Sequence, residues 1–156
     1  MKAFKRRGGD YVATFEPEEA RVLLQLTAQV TELLDEPDTA DAAVMRLLPD
    51  AYHGDPEAAD EFRRFTSESL VERKVRNARV IGEAVAAVAV SARPEKVTVS
   101  GEDAQAWIRG LSDIRLTIAA RLGIETDADE VPWHEPVAQI YQWLAFVQES
   151  LVRVLR

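Results

Sequence analysis

A chain of 156 residues with 47% hydrophobic content has enough apolar side chains to close one core, and residues 1–156 are expected to form a single domain without a covalent staple. The absence of cysteine excludes disulfides, thiolate metal sites, cysteine nucleophiles and a thiol switch within the chain. A formal charge of −8 opposes non-specific binding to nucleic acid or an anionic membrane, because both need clustered positive charge.

Met1 to Arg7 is basic but runs into Gly8-Gly9-Asp10 instead of an apolar stretch, which is not the pattern of a secretory signal. No apolar run reaches spanning length, and a cytoplasmic location is expected. The runs Lys2 to Arg7 and Tyr11 to Phe15 flank the Gly-rich connector and predict a hairpin over about 2–15. Pro17, followed by Glu18 and Glu19, suits the first turn of a helix, and Leu23, Leu26, Val30 and Leu33 recur at helical spacing over 17–35. Thr39 is the expected cap of a short helix over 40–48, which carries Val44, Leu47 and Leu48 and ends at Pro49.

Pro49 to Asp55 is rich in turn residues, and Asp55-Pro56-Glu57 places a cap, a first-turn proline and an acid in helix-starting order. A helical region follows over 56–92. Phe62 and Phe65 mark its buried side, Thr66-Ser67-Glu68-Ser69 resembles a second cap, and Val75, Ala78, Ile81, Val85 and Val88 continue the pattern up to Arg93-Pro94. One bent helix and two helices both fit. Lys96 to Val99 is a brief β-prone run that can join the hairpin in a three-stranded sheet. Ser100 with Asp103 suggests a capping box for a helix over 101–122, with Trp107, Leu111, Ile114, Ile118 and Leu122 on one face and Gly123 as terminator. The last helix is expected over 136–155, with Val137, Ile140, Leu144, Val147 and Leu151 on its apolar side. The predicted class is therefore mainly α with a small β element, a compact helical bundle with an N-terminal β-hairpin.

The chemistry available is sparse. The two histidines, His53 and His134, do not stand at metal-ligand spacing. Asp50, His53 and Asp55 share one loop, where turn formation explains them better than ligation of a hard cation. Gly8-Gly9 lacks the context of a phosphate-binding loop, and no serine sits on a nucleophile elbow. No catalytic, cofactor-binding or metal-binding residue is nominated, and no cofactor is expected. Two basic clusters stand out: Lys2, Lys5, Arg6 and Arg7 at the hairpin, and Arg73, Lys74, Arg76 and Arg79 on the long helical region. Lys5, Arg6, Arg7, Arg73, Lys74, Arg76 and Arg79 are the candidate contacts to a partner or to nucleic acid, against the plainer reading of a solvated face paired with nearby acids. Trp107 and Trp143 sit on amphipathic helices, and packing explains them better than ligand stacking.

The strings Phe-Glu-Pro at 15–17, Pro-Asp-Ala-Tyr at 49–52, Asp-Pro-Glu-Ala-Ala-Asp-Glu-Phe-Arg-Arg-Phe-Thr at 55–66, Asp-Ile-Arg-Leu-Thr-Ile-Ala-Ala-Arg-Leu-Gly at 113–123 and Tyr-Gln-Trp-Leu-Ala-Phe-Val-Gln-Glu-Ser-Leu at 141–151 carry a family likeness. In this order they resemble the actinobacterial AosR-like oxidative-stress regulators, formerly a domain of unknown function. These residues are mostly caps and apolar faces, so the likeness speaks for fold more than for activity. It implies transcriptional regulation through a sigma factor or RNA polymerase, without enzyme chemistry. The chain departs from a redox regulator in having no thiol. Methionine is the other ready oxidant target, and Met45 is expected to be a core residue.

The reading that follows is a cytoplasmic, non-enzymatic regulatory protein with a protein partner. The alternatives are direct DNA binding through the basic clusters, which the net charge disfavours, and an enzyme with an unrecognised pocket. A homodimer is expected as well. Trp107, Ile108, Leu111, Ile114, Leu116 and Ile118, with Tyr141, Trp143, Leu144, Phe146 and Val147, exceed the single apolar face of a surface helix.

Overall fold

The structure is a computed structural model that describes residues 1–49, 56–126 and 128–156, and for 56–69 the backbone only. The loop holding Asp50, His53 and Asp55 lies outside the described residues, as do the side chains of Phe62 and Phe65. At the N-terminus, β1 (Lys2–Arg7) and β2 (Asp10–Phe15) form an antiparallel hairpin in which Arg7 pairs with Asp10. The two-residue connection has Gly8 at φ +63°, a left-handed conformation that glycine adopts without a Cβ clash. A third strand, β3 (Glu95–Ser100), pairs antiparallel with β2, giving the order β1-β2-β3. The expected three-stranded sheet therefore forms. Alternation buries Tyr11, Ala13 and Phe15 of β2 with Val97 and Val99 of β3, so one face of the sheet closes the core.

Helix α1 (Pro17–Asp35) begins with Pro17 in its first turn, and the Glu16 amide donates to Glu19 Oε1 at 2.8 Å. Its buried stripe is Ala20, Leu23, Thr27, Val30 and Leu34. Leu34 thus takes the place expected for Leu33, because the stripe alternates steps of three and four residues. The short α2 (Ala42–Leu47) is capped by Asp41, whose side chain accepts from the Ala43 amide. Asp41 supplants Thr39 because the chain enters helical geometry only after it. On α2 Met45 is 57% exposed, contrary to the expected core position. Ala43, Val44 and Leu47 fill the buried side, and Met45 falls opposite them.

Helix α3 (Pro56–Ala89) is one continuous helix of 34 residues. The polar run at 66–69 does not interrupt it, since Ser and Thr act as caps only where the backbone leaves the helix. It ends before the expected residue 92. The Ser91 amide bonds the Val88 carbonyl at 3.0 Å and Ser91 Oγ accepts from the Arg93 amide at 3.3 Å, forming a turn ahead of Pro94, whose neighbour avoids helical geometry.

Helix α4 (Ala104–Leu122) starts three residues later than expected, because Ser100 ends β3 and its Oγ receives the Asp103 amide at 3.0 Å. Gly101 sits tightly here: a Cβ would lie 2.8 Å from the Gly9 carbonyl oxygen of the hairpin turn. Gly123, at φ +75°, ends α4, and the Ile124 amide reaches back to the Ala119 carbonyl at 2.9 Å. Helix α5 (Pro136–Leu155) completes the fold. The principal packing contacts place α4 against α1, α2, α3 and α5, so it is the central helix. An aromatic cluster lies between sheet and helices, with Trp107 at 5.7 Å from Phe4 and 6.2 Å from Phe15, and Phe15 edge-on to Trp143 at 6.4 Å. The apolar surplus of α4 and α5 is largely consumed inside: Trp107, Leu111, Ile114, Ile118, Leu144 and Val147 are buried, whereas Leu116 and Phe146 remain 39% and 48% exposed. Among the described residues no helix is long and apolar enough to cross a membrane.

Candidate functional site

The basic residues singled out from the sequence do not form one surface. Lys5, Arg6 and Arg7 are exposed on β1, which lies at one edge of the sheet and packs against β2 and α5. Arg73, Lys74, Arg76 and Arg79 stand on α3, whose principal neighbours are α1, α4 and β3. Within α3 the cluster divides again. Arg73 and Lys74 line a cleft shared with α4, whereas Arg79 lines a groove shared with α1, and Arg76 is exposed.

The α3–α4 cleft holds a largely buried ion pair. Lys74 Nζ lies 2.6 Å from Asp113 Oδ1, with side-chain exposures of 17% and 6%. Gly110 allows α4 to come this close to α3. A Cβ there would stand 2.7 Å from Ile81 Cδ1 and 3.2 Å from the Asn77 carbonyl oxygen. Gly110, Asp113 and Thr117 form a stripe on α4 at spacings of three and four, beside the apolar stripe of Trp107, Leu111, Ile114 and Ile118. Burial pushes the Asp113 carboxyl above the usual carboxylate range, while the hydrogen bond and charge of Lys74 pull it back. Its Oδ2 has no hydrogen-bond partner among the described residues. Asn77, Arg109 and Ser112 complete the polar lining, and the cleft encloses about 280 Å³.

Ser112 connects the cleft to α5. Gln148 Nε2 donates to Ser112 Oγ at 2.7 Å and to the Ile108 carbonyl at 2.9 Å, and Gln148 Oε1 accepts from Arg115 Nη1 at 2.8 Å. The Arg115 guanidinium in turn lies 5.2 Å from the centre of the Tyr141 ring, within range of a cation–π attraction. The second concavity, between α1 and α3, is mainly apolar, with Leu24, Thr27, Ala28 and Gly82 on its walls and Glu32, Asp35 and Glu83 beside Arg79. Arg79 therefore stands among acids.

Sequence reasoning found Lys74 but missed Asp113, Arg109 and Ser112. The available signal was an acid flanked by Gly110 and Thr117 beside an apolar stripe, a composition suited to a close polar helix contact. The identity of the facing helix was not readable from it.

The DUF2017 family model, described as a domain of unknown function, matches residues 1–155. The proteins named oxidative stress regulator AosR in Mycobacterium bovis and in Mycobacterium tuberculosis are each 28% identical over 183 aligned positions, covering 96% of this chain and 84% of the relative. A putative oxidative stress regulator AosR of Mycobacterium leprae is 32% identical over 130 positions, covering 74% of this chain and 58% of that protein. The alignment of 183 positions exceeds the 156 residues of this chain, so those relatives carry insertions that it lacks. No solved structure matches. With a family model spanning nearly every residue and relatives aligned over the same length, this chain belongs to the DUF2017 family, alongside the AosR oxidative stress regulators.

Proposed function

We propose that this protein is a non-enzymatic regulator of the oxidative-stress response that works in the cytoplasm by binding a protein of the transcription machinery, a sigma factor or RNA polymerase. The observation that carries the reading is similarity to named oxidative stress regulators over 96% of the chain. The acidic net charge of −8 favours a basic protein surface over a polyanion. The α1–α3 groove, apolar within and bordered by Glu32, Asp35 and Glu83, suits a basic amphipathic segment of such a partner. Since the chain has no cysteine, the oxidant signal reaches it through a partner that carries thiols.

Direct DNA binding is the weaker alternative. Its candidate residues are divided among β1, the α3–α4 cleft, the α1–α3 groove and the exposed position of Arg76, and Lys74 is held by Asp113. Co-purification from native lysate followed by mass spectrometry tests the main proposal. Recovery of a sigma factor or polymerase subunit is the expected result, and consistent absence of transcription components counts against it. Gel shifts over a salt series test the alternative, because a real set of phosphate contacts weakens steeply with salt. An enzyme is the remaining alternative, and turnover of a small molecule by the purified chain would establish it.

A further inference from the structure

Helices α1 and α3 leave a groove between them whose floor and rim differ in chemistry. Leu24, Ala28 and Ala78 line it with carbon, Gly82 adds no side chain, and Leu24 is 38% exposed. The hydroxyls beside them are already committed: Thr27 Oγ1 donates to the Leu24 carbonyl and Thr31 Oγ1 to the Thr27 carbonyl, both at 2.9 Å. With those protons used within α1, the floor offers apolar contact and little hydrogen bonding. The concavity measures about 550 Å³. An apolar cavity of about 150 Å³ holds a benzene ring, so the groove has room for several apolar side chains. Its lining on α1 runs from Leu24 to Asp35, about three helical turns or roughly 16 Å.

The rim is acidic. Glu32, Asp35 and Glu83 are all exposed, and Arg79 is the one cation among the lining residues. Two of these acids stand against the dipole of their own helix. Glu32 and Asp35 occupy the last turn of α1, where the backbone already carries partial negative charge, and no basic residue offsets them there. Such a placement costs helix stability and builds a field that draws a positive partner. An exposed apolar surface with a charged rim has the form of a protein-binding site.

We propose that the α1–α3 groove receives a basic amphipathic helix of about three turns from a partner protein. Its apolar side chains, at positions i, i+4 and i+7, rest on Leu24, Ala28 and Gly82, and its Lys and Arg side chains pair with Glu32, Asp35 and Glu83. The occupant is helical because the backbone amides and carbonyls of the groove walls are bonded within α1 and α3. An extended segment would find no backbone partners there, whereas a helix satisfies its own. The proposal rests on the reading of this chain as a regulator that binds a protein, and it adds the surface and the chemistry of the partner segment.

The test uses the full chain and three synthetic peptides of equal length, read by fluorescence anisotropy and amide NMR shifts. The first carries leucine at i, i+4, i+7 and i+11 with Lys and Arg elsewhere. The second keeps the leucines and replaces every cation with Glu, and the third keeps the basic composition with the leucines dispersed around the helix. The first should bind at about 100 µM or tighter, with the largest shifts over residues 24–35 and 78–83, and the other two about tenfold more weakly or worse. Ala28→Arg, at an exposed position, obstructs the groove and repels the cations. It should weaken binding about tenfold and leave the melting temperature unchanged, since Arg is a good helix former. E32K and E83K should each weaken binding about fivefold, more at low salt than at high. E102K alters net charge equally at an exposed position outside the groove lining and should bind as the parent does. Absence of binding by the first peptide at about 1 mM, equal binding of the acidic or dispersed peptide, or shifts that ignore A28R would each overturn the proposal. Shifts over 24–35 on diluting the chain alone would give the groove to a second copy and overturn it too. The partner reading fails separately. Recovery of the same transcription component from lysate by A28R and by the parent would reject the groove and leave that reading intact. A first peptide that binds as described, with no transcription component recovered, would support the groove and reject the partner's identity.

Discussion

Trp107 has no exposed surface, and its ring meets Phe4 and Phe15 from two different strands. Replacing it with alanine removes a large buried ring at a junction of sheet and helices, and a loss of about 3–5 kcal/mol in urea unfolding is expected. Gly110 is the opposite case, a position where adding one carbon does harm. Its Cβ would meet Ile81 Cδ1 at 2.7 Å and the backbone of Asn77 at 3.2 Å, so Gly110→Ala should cost about 1–3 kcal/mol by the same measurement. An unchanged midpoint would mean that α3 and α4 are not in close contact there. Trp107 was legible as a core residue because it began an apolar stripe. Gly110 was not, since a glycine inside a helix has no periodic signal and acquires meaning only from the helix it faces. Met45 was misread for a related reason, as a six-residue helix is too short for periodicity to orient. Because it is 57% exposed, peroxide should convert it to the sulfoxide with little change in melting temperature, the added oxygen entering water instead of the core. Peptide mass mapping with thermal melting checks this, and a large drop in melting temperature at one oxygen on Met45 would contradict it.

The α3 basic cluster, legible as a run in sequence, lost its unity once the elements packed. Helix α3 turns Arg73 and Lys74 toward α4 and Arg79 toward α1, a division set by which helices flank it. Element types were largely readable, because alternation and helical spacing survive in any packing. Helix starts were less so: both α2 and α4 begin later than expected, where Asp41 and Ser100 take up amide groups ahead of the first turn. Asp41 does more than cap α2. Arg121 near the end of α4 holds both of its oxygens, at 2.9 and 3.1 Å, and this hydrogen bond leads the Ala43 amide in drawing the Asp41 carboxyl below its usual range. A lowered folded pKa means stability that is present above the unfolded value near pH 4 and lost as pH falls through the folded one. Asn caps about as well as Asp, so Asp41→Asn isolates the ion pair. Arg121 is half exposed, and the expected loss is about 0.2–1 kcal/mol at pH 7, shrinking as pH falls through the lowered folded pKa. A difference that stays constant as the carboxyl is protonated would refer the effect to capping.

At the scale of the whole molecule, the expected homodimer depends on the apolar surface left after folding. The position of α4 among four helices absorbs most of the surplus that motivated it, and Leu116 and Phe146 are what α4 and α5 leave substantially exposed. We therefore propose weak self-association that covers these side chains. Light scattering should give a mass above 17.4 kDa at about 100 µM, falling to the monomer on dilution, and Phe146→Glu should be monomeric throughout. A constant 17.4 kDa over the whole range would rule the dimer out.

The junction of β1 with α5 bears on how the chain folds in time. The Phe4 amide lies 3.4 Å from Ser150 Oγ, across 146 residues of sequence, and the aromatic cluster takes Phe4, Phe15, Trp107 and Trp143 from widely separated segments. During synthesis the hairpin therefore emerges long before the surface that covers it, and it waits for the final helix to leave the ribosome. A strand edge left bare for that interval invites pairing with another nascent chain. Lys5, Arg6 and Arg7 lie exposed on that edge, where like charges on two copies repel and so disfavour such pairing before α5 arrives.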